Sequence, residues 1–335
     1  IPYLPIGGDV DRLLESGSKI ALSLNFVLDG LKDFENLRLV WGNETNSSDQ
    51  SLYLGIKSSR EKLLKGTEEL ASAITLLEDV NPNILPPVIR DQFADASKEL
   101  VSARSALSNL VDFEALILSL LGGEKKTYLM IFQNNNEARA TGGFIGTYGL
   151  LSLENGRMRI EKIESIYNLD GQLDVKIAAP GALRRQQTTY WGIRDSNWFV
   201  DFPTSSAKIL DFFDKTTGIL ADGILSFTPD VFEKFLAITG PVPMPEYNET
   251  LSAQNFRGVV QYKTSIDYDS VENEPKKFLA DFAPRMLERL GGLSKKQWLE
   301  LVNELIVLVS EKQILAYSVT PETEAEIVKY NAAGE

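Results

Sequence analysis

Thr127-Tyr128-Leu129-Met130-Ile131-Phe132, followed by Gln133-Asn134-Asn135-Asn136-Glu137-Ala138-Arg139-Ala140-Thr141-Gly142-Gly143-Phe144-Ile145-Gly146, is the stretch that decides the fold. Its first six residues are apolar and β-prone, which predicts a buried strand. The polar run after it leads into a second apolar stretch, Gly143 to Leu153, closed by Glu154-Asn155-Gly156-Arg157. Met158 to Ile166 then alternates apolar Met158, Ile160 and Ile163 with charged Arg159, Glu161 and Lys162. This reads as a strand, a polar loop and a strand–turn–strand hairpin. The loop therefore lies at a strand end, where open α/β sheets bind ligands.

Towards the C-terminus, Ser205 to Thr216 reads as an amphipathic helix, Asp222 to Phe227 as a strand and Pro229 to Ile238 as a helix. Further helices are expected near Ala253–Gln261, Pro275–Leu290 and Lys295–Glu311, then a strand at Gln313–Val319 and a helix at Pro321–Tyr330. Such alternation predicts an α/β domain with a mixed β-sheet layered with helices. Towards the N-terminus the pattern is helical throughout. Apolar residues recur at helical spacing from Asp9 to Leu37, from Ser51 to Leu77 and from Val88 to Leu121. The polar cluster Gly42–Asp49 and the breakers Asn81-Pro82 and Pro86-Pro87 separate the three. The expected organisation is an all-α helical bundle or stalk over residues 1–123 and the α/β domain over 124–335.

The chain has 335 residues, a net charge of −13, no cysteine and no histidine. These absences exclude Ser-His-Asp and Cys-His catalysis, thiolate and imidazole metal sites, and disulfides. The negative charge argues against nucleic acid as a partner, which requires a basic footprint. No apolar run approaches the length of a membrane span. The first residue is Ile1 rather than Met, which leads us to expect a processed or trimmed chain.

Within the polar loop, Gln133, Asn134 and Asn135 offer amide donors and acceptors, and Arg139 offers a planar fork for phosphate or carboxylate. Glu137 and Thr141 add acceptors, and Gly142-Gly143 lets backbone approach a ligand closely. The same residues also suit turn capping and relief of packing in a bent sheet. No Gly-Lys-Ser/Thr follows, which excludes a P-loop, and a hairpin rather than a helix excludes a dinucleotide fingerprint.

A second candidate region runs from Tyr167 to Pro203, where Tyr167–Gly171 ends the hairpin strand and a long irregular segment follows. It holds Asp170, Arg184-Arg185, Arg194-Asp195, Trp198 and Asp201. Six of the fourteen arginines lie between Arg139 and Arg194, against about two for even scatter. A local arginine excess in an acidic chain suits an anion site, although Arg157, Arg159, Arg184 and Arg185 also suit a solvated surface. Asp170, Asp195 and Asp201 could hold Mg²⁺ or Mn²⁺ against a pyrophosphate. Equally, Asp195 could pair with an arginine and Asp201 could cap the following helix.

The segment Gln133–Gly146 resembles a bacterial family known as domain of unknown function 4012, whose hallmark is a strand followed by a QNN-x-E-x-R-x-TGGFIG-like segment. The resemblance continues through Asn197–Pro203, Ala221–Ile224 and Thr239–Val242, and covers about Lys125 to Glu335. It implies a membrane anchor and a helical region upstream. That family is distantly similar to the LytR-CpsA-Psr proteins, extracytoplasmic enzymes that move phospho-glycans from polyprenyl-pyrophosphate carriers onto the cell wall. The resemblance implies that Arg139 and Arg194 clamp a pyrophosphate while Asp170 and Asp195 hold Mg²⁺. It also implies a partner in the form of a polyprenyl-pyrophosphate-linked glycan or cell-wall polymer, and an extracytoplasmic, membrane-anchored location. The chain departs from the enzymes at two places. They carry Arg-Ser-Asp where this chain has Arg139-Ala140-Thr141, and Pro-Arg-Asp where it has Asn168-Leu169-Asp170. Two functions are therefore expected, a glycan phosphotransferase or a non-catalytic cell-surface binding or assembly module.

Overall fold

The computed structural model describes residues 6–35, 52–121, 124–154, 157–186, 188–267 and 274–334. The chain divides into two compact units, one made of Ile1–Leu37 with Leu52–Leu118 and the other running from Ser119 to the end. The expected loop Gly42–Asp49, the helix stop Gly122-Gly123 and the turn centre Asn155-Gly156 lie outside the described residues.

In the first unit, α1 (Ile6–Glu35) and α2 (Leu52–Glu78) run antiparallel. Lys19 pairs with Glu69 at 2.9 Å near one end and Asp33 with Lys62 at 2.8 Å near the other. Between these pairs the Ser23 hydroxyl donates to the Gly66 carbonyl at 2.7 Å. A Cβ on Gly66 would stand 3.0 Å from the Val27 side chain, so a small residue there sets the spacing of the two helices. Helix α3 (Pro87–Leu121) starts on a proline, whose missing N–H costs nothing at a helix N-terminus. No residue from 87 to 110 is buried, whereas Val111, Glu114 and Leu116 are. The helix is thus unburied over its first two thirds and packs closely only near its end.

The second unit is built on a five-stranded sheet of order β3-β2-β1-β4-β7. Central β1 (Lys126–Asn134) runs antiparallel to β2 (Phe144–Glu154) and parallel to β4 (Gly223–Phe227). On the edges, β3 (Arg157–Ser165) pairs with β2, and β7 (Ile314–Ser318) with β4, both antiparallel. The sheet is therefore mixed. The β1 run is apolar because the sheet centre is covered: Tyr128, Leu129 and Ile131 are fully buried. Helix α6 (Phe202–Thr217) buries Ile209, Phe212 and Phe213 against Leu129, Ile131 and Tyr148. A second core gathers around Phe256, Phe278, Phe282 and Met286. It belongs to α7 (Pro229–Thr239), α8 (Phe256–Ser265), α9 (Lys277–Gly291) and α10 (Lys295–Ser310). The final helix, α11 (Pro321–Lys329), follows β7.

Three features differ from the reading of the sequence. Ile166–Gln172 forms a short helix, α4, rather than the end of a strand, and Gly181–Gln186 forms another, α5. Seven and six residues are too few to display a helical period. Val242–Met244 (β5) and Glu249–Leu251 (β6) pair as a small two-stranded ribbon that three-residue strands could not announce. Among the described residues no helix is long and apolar enough to cross a membrane.

Glu114 is buried with the Ser59 hydroxyl donating to one oxygen at 2.9 Å, and its other oxygen has no partner. Burial pushes its carboxyl up to about 7 from an ordinary 4.5. Between those values the folded state holds a proton that the unfolded chain releases, so stability falls as pH rises through the window. A unit or more above pH 7 the penalty approaches its full size, roughly 3 kcal/mol for a shift of this size. Glu114→Gln is expected to slow amide hydrogen exchange in α2 and α3 at pH 8, after correction for intrinsic rates, and to leave it unchanged near pH 4.5.

Candidate functional site

The site loop leaves the sheet where β1 ends. The register between β1 and β2 shifts at Phe132/Gln133, making Gly146 the extra residue of a bulge. Beyond the shift the Gln133 side chain is buried and becomes a hub. Its Oε1 accepts from the Thr141 hydroxyl at 2.9 Å, from the Asn197 amide at 3.1 Å and from the Gly143 N–H at 3.2 Å. Its Nε2 donates to the Ser226 hydroxyl at 2.6 Å and the Thr141 carbonyl at 3.2 Å. Asn197 Nδ2 reinforces the loop through the Gly143 carbonyl at 2.9 Å. Gly143 must be glycine, because a Cβ there would stand 2.5 Å from the Asn134 carbonyl. Gly142 has φ +121°, which an L side chain rarely adopts.

On this scaffold two arginines from different loops converge. The Arg139 guanidinium lies over the Phe144 ring at 5.1 Å and that of Arg194 over the Tyr167 ring at 5.2 Å. The two rings are themselves 6.4 Å apart. Asp195, in a short 3-10 turn over Ile193–Asp195, faces both arginines, at 3.2 Å from Arg194 and 3.9 Å from Arg139. Asp170, in the last turn of α4, accepts from the Ile193 N–H at 2.6 Å and lies 3.5 Å from Arg194. Burial holds the Asp170 carboxyl above its ordinary range, against the pull of that N–H and of Arg194, while the Asp195 charge pushes it further up. Gly192 makes room for this contact, since a Cβ there would stand 2.5 Å from Asp170 Oδ1.

Phe144 and Tyr167 also wall a cavity of about 630 Å³. It opens at the carboxyl ends of parallel β1 and β4, between Asn134 and Thr228, and is apolar over Phe132, Phe227, Phe232 and Phe256. At its rim Arg257 pairs with Asp230 at 2.9 Å and Glu233 at 3.0 Å, and donates to Asn135 Oδ1 at 2.7 Å. Sequence reading missed this cluster, because Asp230 and Glu233 one turn apart on a helix look like a solvated face.

The expected residues thus sort by place. Arg139, Arg194, Asp170 and Asp195 are brought together. Asn134 and Glu137 line the cavity, and Glu137 also pairs with Arg139 at 3.0 Å. Gln133 and Thr141 are spent inside the loop scaffold, and Asn135 is held by Arg257 and Asp230. These three position the site instead of offering free groups to a ligand. Asp201 caps α6, its carboxylate accepting from the Thr204 N–H at 2.8 Å, which is the capping role the sequence offered. Arg184 and Arg185 are exposed on α5 and line neither cavity. Trp198 lines a second cavity, beside Arg139 and Asp195. Asn197 is the functional residue the sequence did not single out, for its partner Gln133 lies 64 positions away.

Fold and site together define a mixed α/β domain that presents paired arginines and aspartates beside an aromatic hollow. Residues 123–264 match the model of the family described as "Protein of unknown function (DUF4012)", the family that the Gln133–Gly146 segment resembles. Three solved structures are similar to the chain at low identity. Protein gbs0355 from Streptococcus agalactiae is 12% identical with a TM-score of 0.38, over 66% of this chain and 76% of its own. TagV of B. subtilis is 10% identical with a TM-score of 0.35, over 63% and 80%. The structure described as the transcriptional regulator yvhJ from Bacillus subtilis is 11% identical with a TM-score of 0.28, over 63% and 77%. A comparison with curated proteins returns no match.

Gln133→Leu keeps the volume but takes the partner from the Ser226 hydroxyl, the Gly143 N–H and the Thr141 O–H. It is expected to destabilise the second unit by about 3 kcal/mol in urea unfolding. Gly192→Ala forces Asp170 off the Ile193 N–H, and hydrogen exchange at Ile193 is expected to accelerate at least tenfold.

Proposed function

We propose that this chain is a cell-envelope protein that binds a glycan carried on polyprenyl pyrophosphate. The pyrophosphate rests on Arg139 and Arg194 and the prenyl chain lies in the aromatic cavity. The observation that carries this reading is the seating of both guanidinium groups on Phe144 and Tyr167, the same rings that wall the hollow. A charged head and an apolar chain in one ligand match a charged rim and an apolar hollow in one site. Arginine's planar fork suits phosphate oxygens, and stacking on a ring pre-orients it. The motif resemblance supports the same substrate class. On this reading the protein works at the extracytoplasmic face of a membrane, anchored through a segment outside this chain.

Asp170 and Asp195 are the carboxylates whose chemistry fits Mg²⁺, which is commonly held by one or two carboxylates together with substrate phosphates and water. Among the described residues no group of three or more acidic side chains is suited to a metal, so phosphate oxygens would have to complete the set. When bound, Mg²⁺ would neutralise phosphate charge.

Transfer is a second reading, favoured by the convergence of Asp170 with the arginine pair. An acceptor hydroxyl would attack the glycan-side phosphorus as the bond from that phosphorus to the bridging oxygen breaks. Polyprenyl phosphate leaves with that oxygen, and the hydroxyl proton passes to solvent. The chain's own contribution is positioning and charge stabilisation by Arg139 and Arg194, and neither needs histidine. The neutral Thr141 and Leu169, where the transferases carry charge, favour binding over transfer.

Calorimetry with a short-chain polyprenyl pyrophosphate tests the binding reading, with the prenyl alcohol of equal length as control. The pyrophosphate is expected to bind at least a hundredfold tighter than the alcohol. Arg139→Ala and Arg194→Ala are each expected to cost tenfold or more, since a charged hydrogen bond contributes about 1.5–3 kcal/mol. Equal affinity for alcohol and pyrophosphate, or indifference to both substitutions, would overturn it. Release of polyprenyl phosphate from a loaded carrier, with Mg²⁺ and a glycan acceptor, separates transfer from binding.

A further inference from the structure

Trp198-Phe199-Val200, between Asn197 and the cap of α6, is a run of three apolar side chains left in solvent. Trp198 keeps 38% of its surface exposed, Phe199 37% and Val200 82%. Single exposed apolar residues are ordinary on a protein surface, but a consecutive run is a defect unless something covers it. The run is also braced. At one end Asn197 is tied to Gln133, and at the other Asp201 caps α6. In the middle the Phe199 N–H donates to the Ser205 hydroxyl at 3.1 Å, which donates back to the Phe199 carbonyl at 2.8 Å. A loop held in this way presents its apolar side chains without having to be ordered first.

Positive charge lies beside it. Ala182 and Leu183 share a cavity of about 350 Å³ with Trp198, which places the next two residues of α5, the exposed Arg184 and Arg185, next to the run. Among the described residues no carboxylate pairs with either guanidinium. On the other flank Lys208 lies over the Trp191 ring at 5.4 Å, and that ring is 6.2 Å from Phe199. The nearby carboxylates are occupied. Asp195 is buried against Arg194, Asp201 accepts from the Thr204 N–H, and Asp211 pairs with Lys208. Within a chain carrying −13, an apolar run is thus bordered by a free basic pair.

We propose that Trp198–Val200 and the Arg184–Arg185 pair form a docking surface for an anionic lipid bilayer. The three apolar side chains enter the interfacial layer, where an indole ring suits the boundary between water and acyl chains, and the guanidinium groups take lipid phosphates. Size argues for lipid over protein. Three side chains fall well short of the roughly 800 Å² per partner that a stable protein interface buries. A few apolar side chains with basic neighbours suffice for reversible adhesion to an anionic membrane. The surface stands on its own residues and does not depend on what the arginine pair Arg139 and Arg194 binds. Its consequence for the site is an orientation, since a bilayer on Trp198 lies against the cavity that Arg139 lines.

Co-flotation of the full chain with phosphatidylcholine vesicles, with and without phosphatidylglycerol, tests the proposal. Association with the phosphatidylglycerol vesicles is expected to be at least tenfold tighter than with phosphatidylcholine alone, and to weaken as salt is raised. Val200→Asp, at a side chain clear of the fold, is expected to weaken it at least tenfold. Arg184→Gln combined with Arg185→Gln is expected to remove most of the preference for phosphatidylglycerol. Lipid brominated on its acyl chains is expected to quench tryptophan emission in the parent protein, and much less in Trp198→Phe, which still binds. No association at millimolar lipid would overturn the proposal and leave the run to a protein partner. Association that ignores Val200→Asp, or that shows no preference for phosphatidylglycerol, overturns it as well, as does equal quenching in the parent and Trp198→Phe. The vesicles carry no pyrophosphate, so failure here and failure of the polyprenyl-pyrophosphate reading are separate results.

Discussion

The carboxamide of Gln133 is the contact on which the site depends. It joins β1 to the loop that carries Arg139, to Asn197 ahead of α6 and to Ser226 on β4. One buried amide thus ties together segments up to 93 residues apart. Such a network has high stakes in a dry interior, because every member stranded by the loss of the hub is left desolvated and unpaired. Around it the backbone is as constrained as the side chains, with Gly143 pressed against the Asn134 carbonyl. Arg139 has its place because the loop beneath it has almost no freedom left.

Arg139 and Arg194 are balanced by Asp170 and Asp195, and Glu137 beside Arg139 adds one more negative charge, within a chain carrying −13. These carboxylates resolve what would otherwise be a conflict. Two arginines close together repel one another, and the aspartates between them hold both in place before any ligand arrives. The short pairs, Arg194 Nε to Asp195 at 3.2 Å and Arg139 Nη2 to Glu137 at 3.0 Å, use only part of the five N–H groups that each guanidinium carries. The acidity of the chain as a whole does not weaken this, because charges farther off are screened by salt over roughly 8–10 Å.

Much of this architecture is legible in the amino-acid sequence, and the boundary of legibility is physical. Thr127–Phe132 and the hairpin after it announce themselves because a sheet centre demands a continuous apolar run and an edge demands alternation. The long helices do so by their period, although the sequence does not tell that α3 leaves residues 87–110 unburied. The arginine excess includes Arg139 and Arg194, which converge, yet Arg184 and Arg185 lie outside both hollows while Arg257, far along the chain, lies at a rim. The residue types Gln133 and Thr141 look like ligand groups in a polar loop. Only the fold shows that Asn197 and Ser226 consume them. Asp201 had two open roles, and the first turn of α6 shows the capping one.

Phe144 and Tyr167 carry the guanidinium groups and wall the larger hollow at once. A ring in two settings cannot shift in one without shifting in the other. Whatever fills the aromatic hollow presses on the supports of the charges, and whatever draws on the charges tilts the wall of the hollow. Tail length and head chemistry of a ligand are therefore not separable variables here. On the proposed reading, an amphiphile would be read as a single object, through two rings.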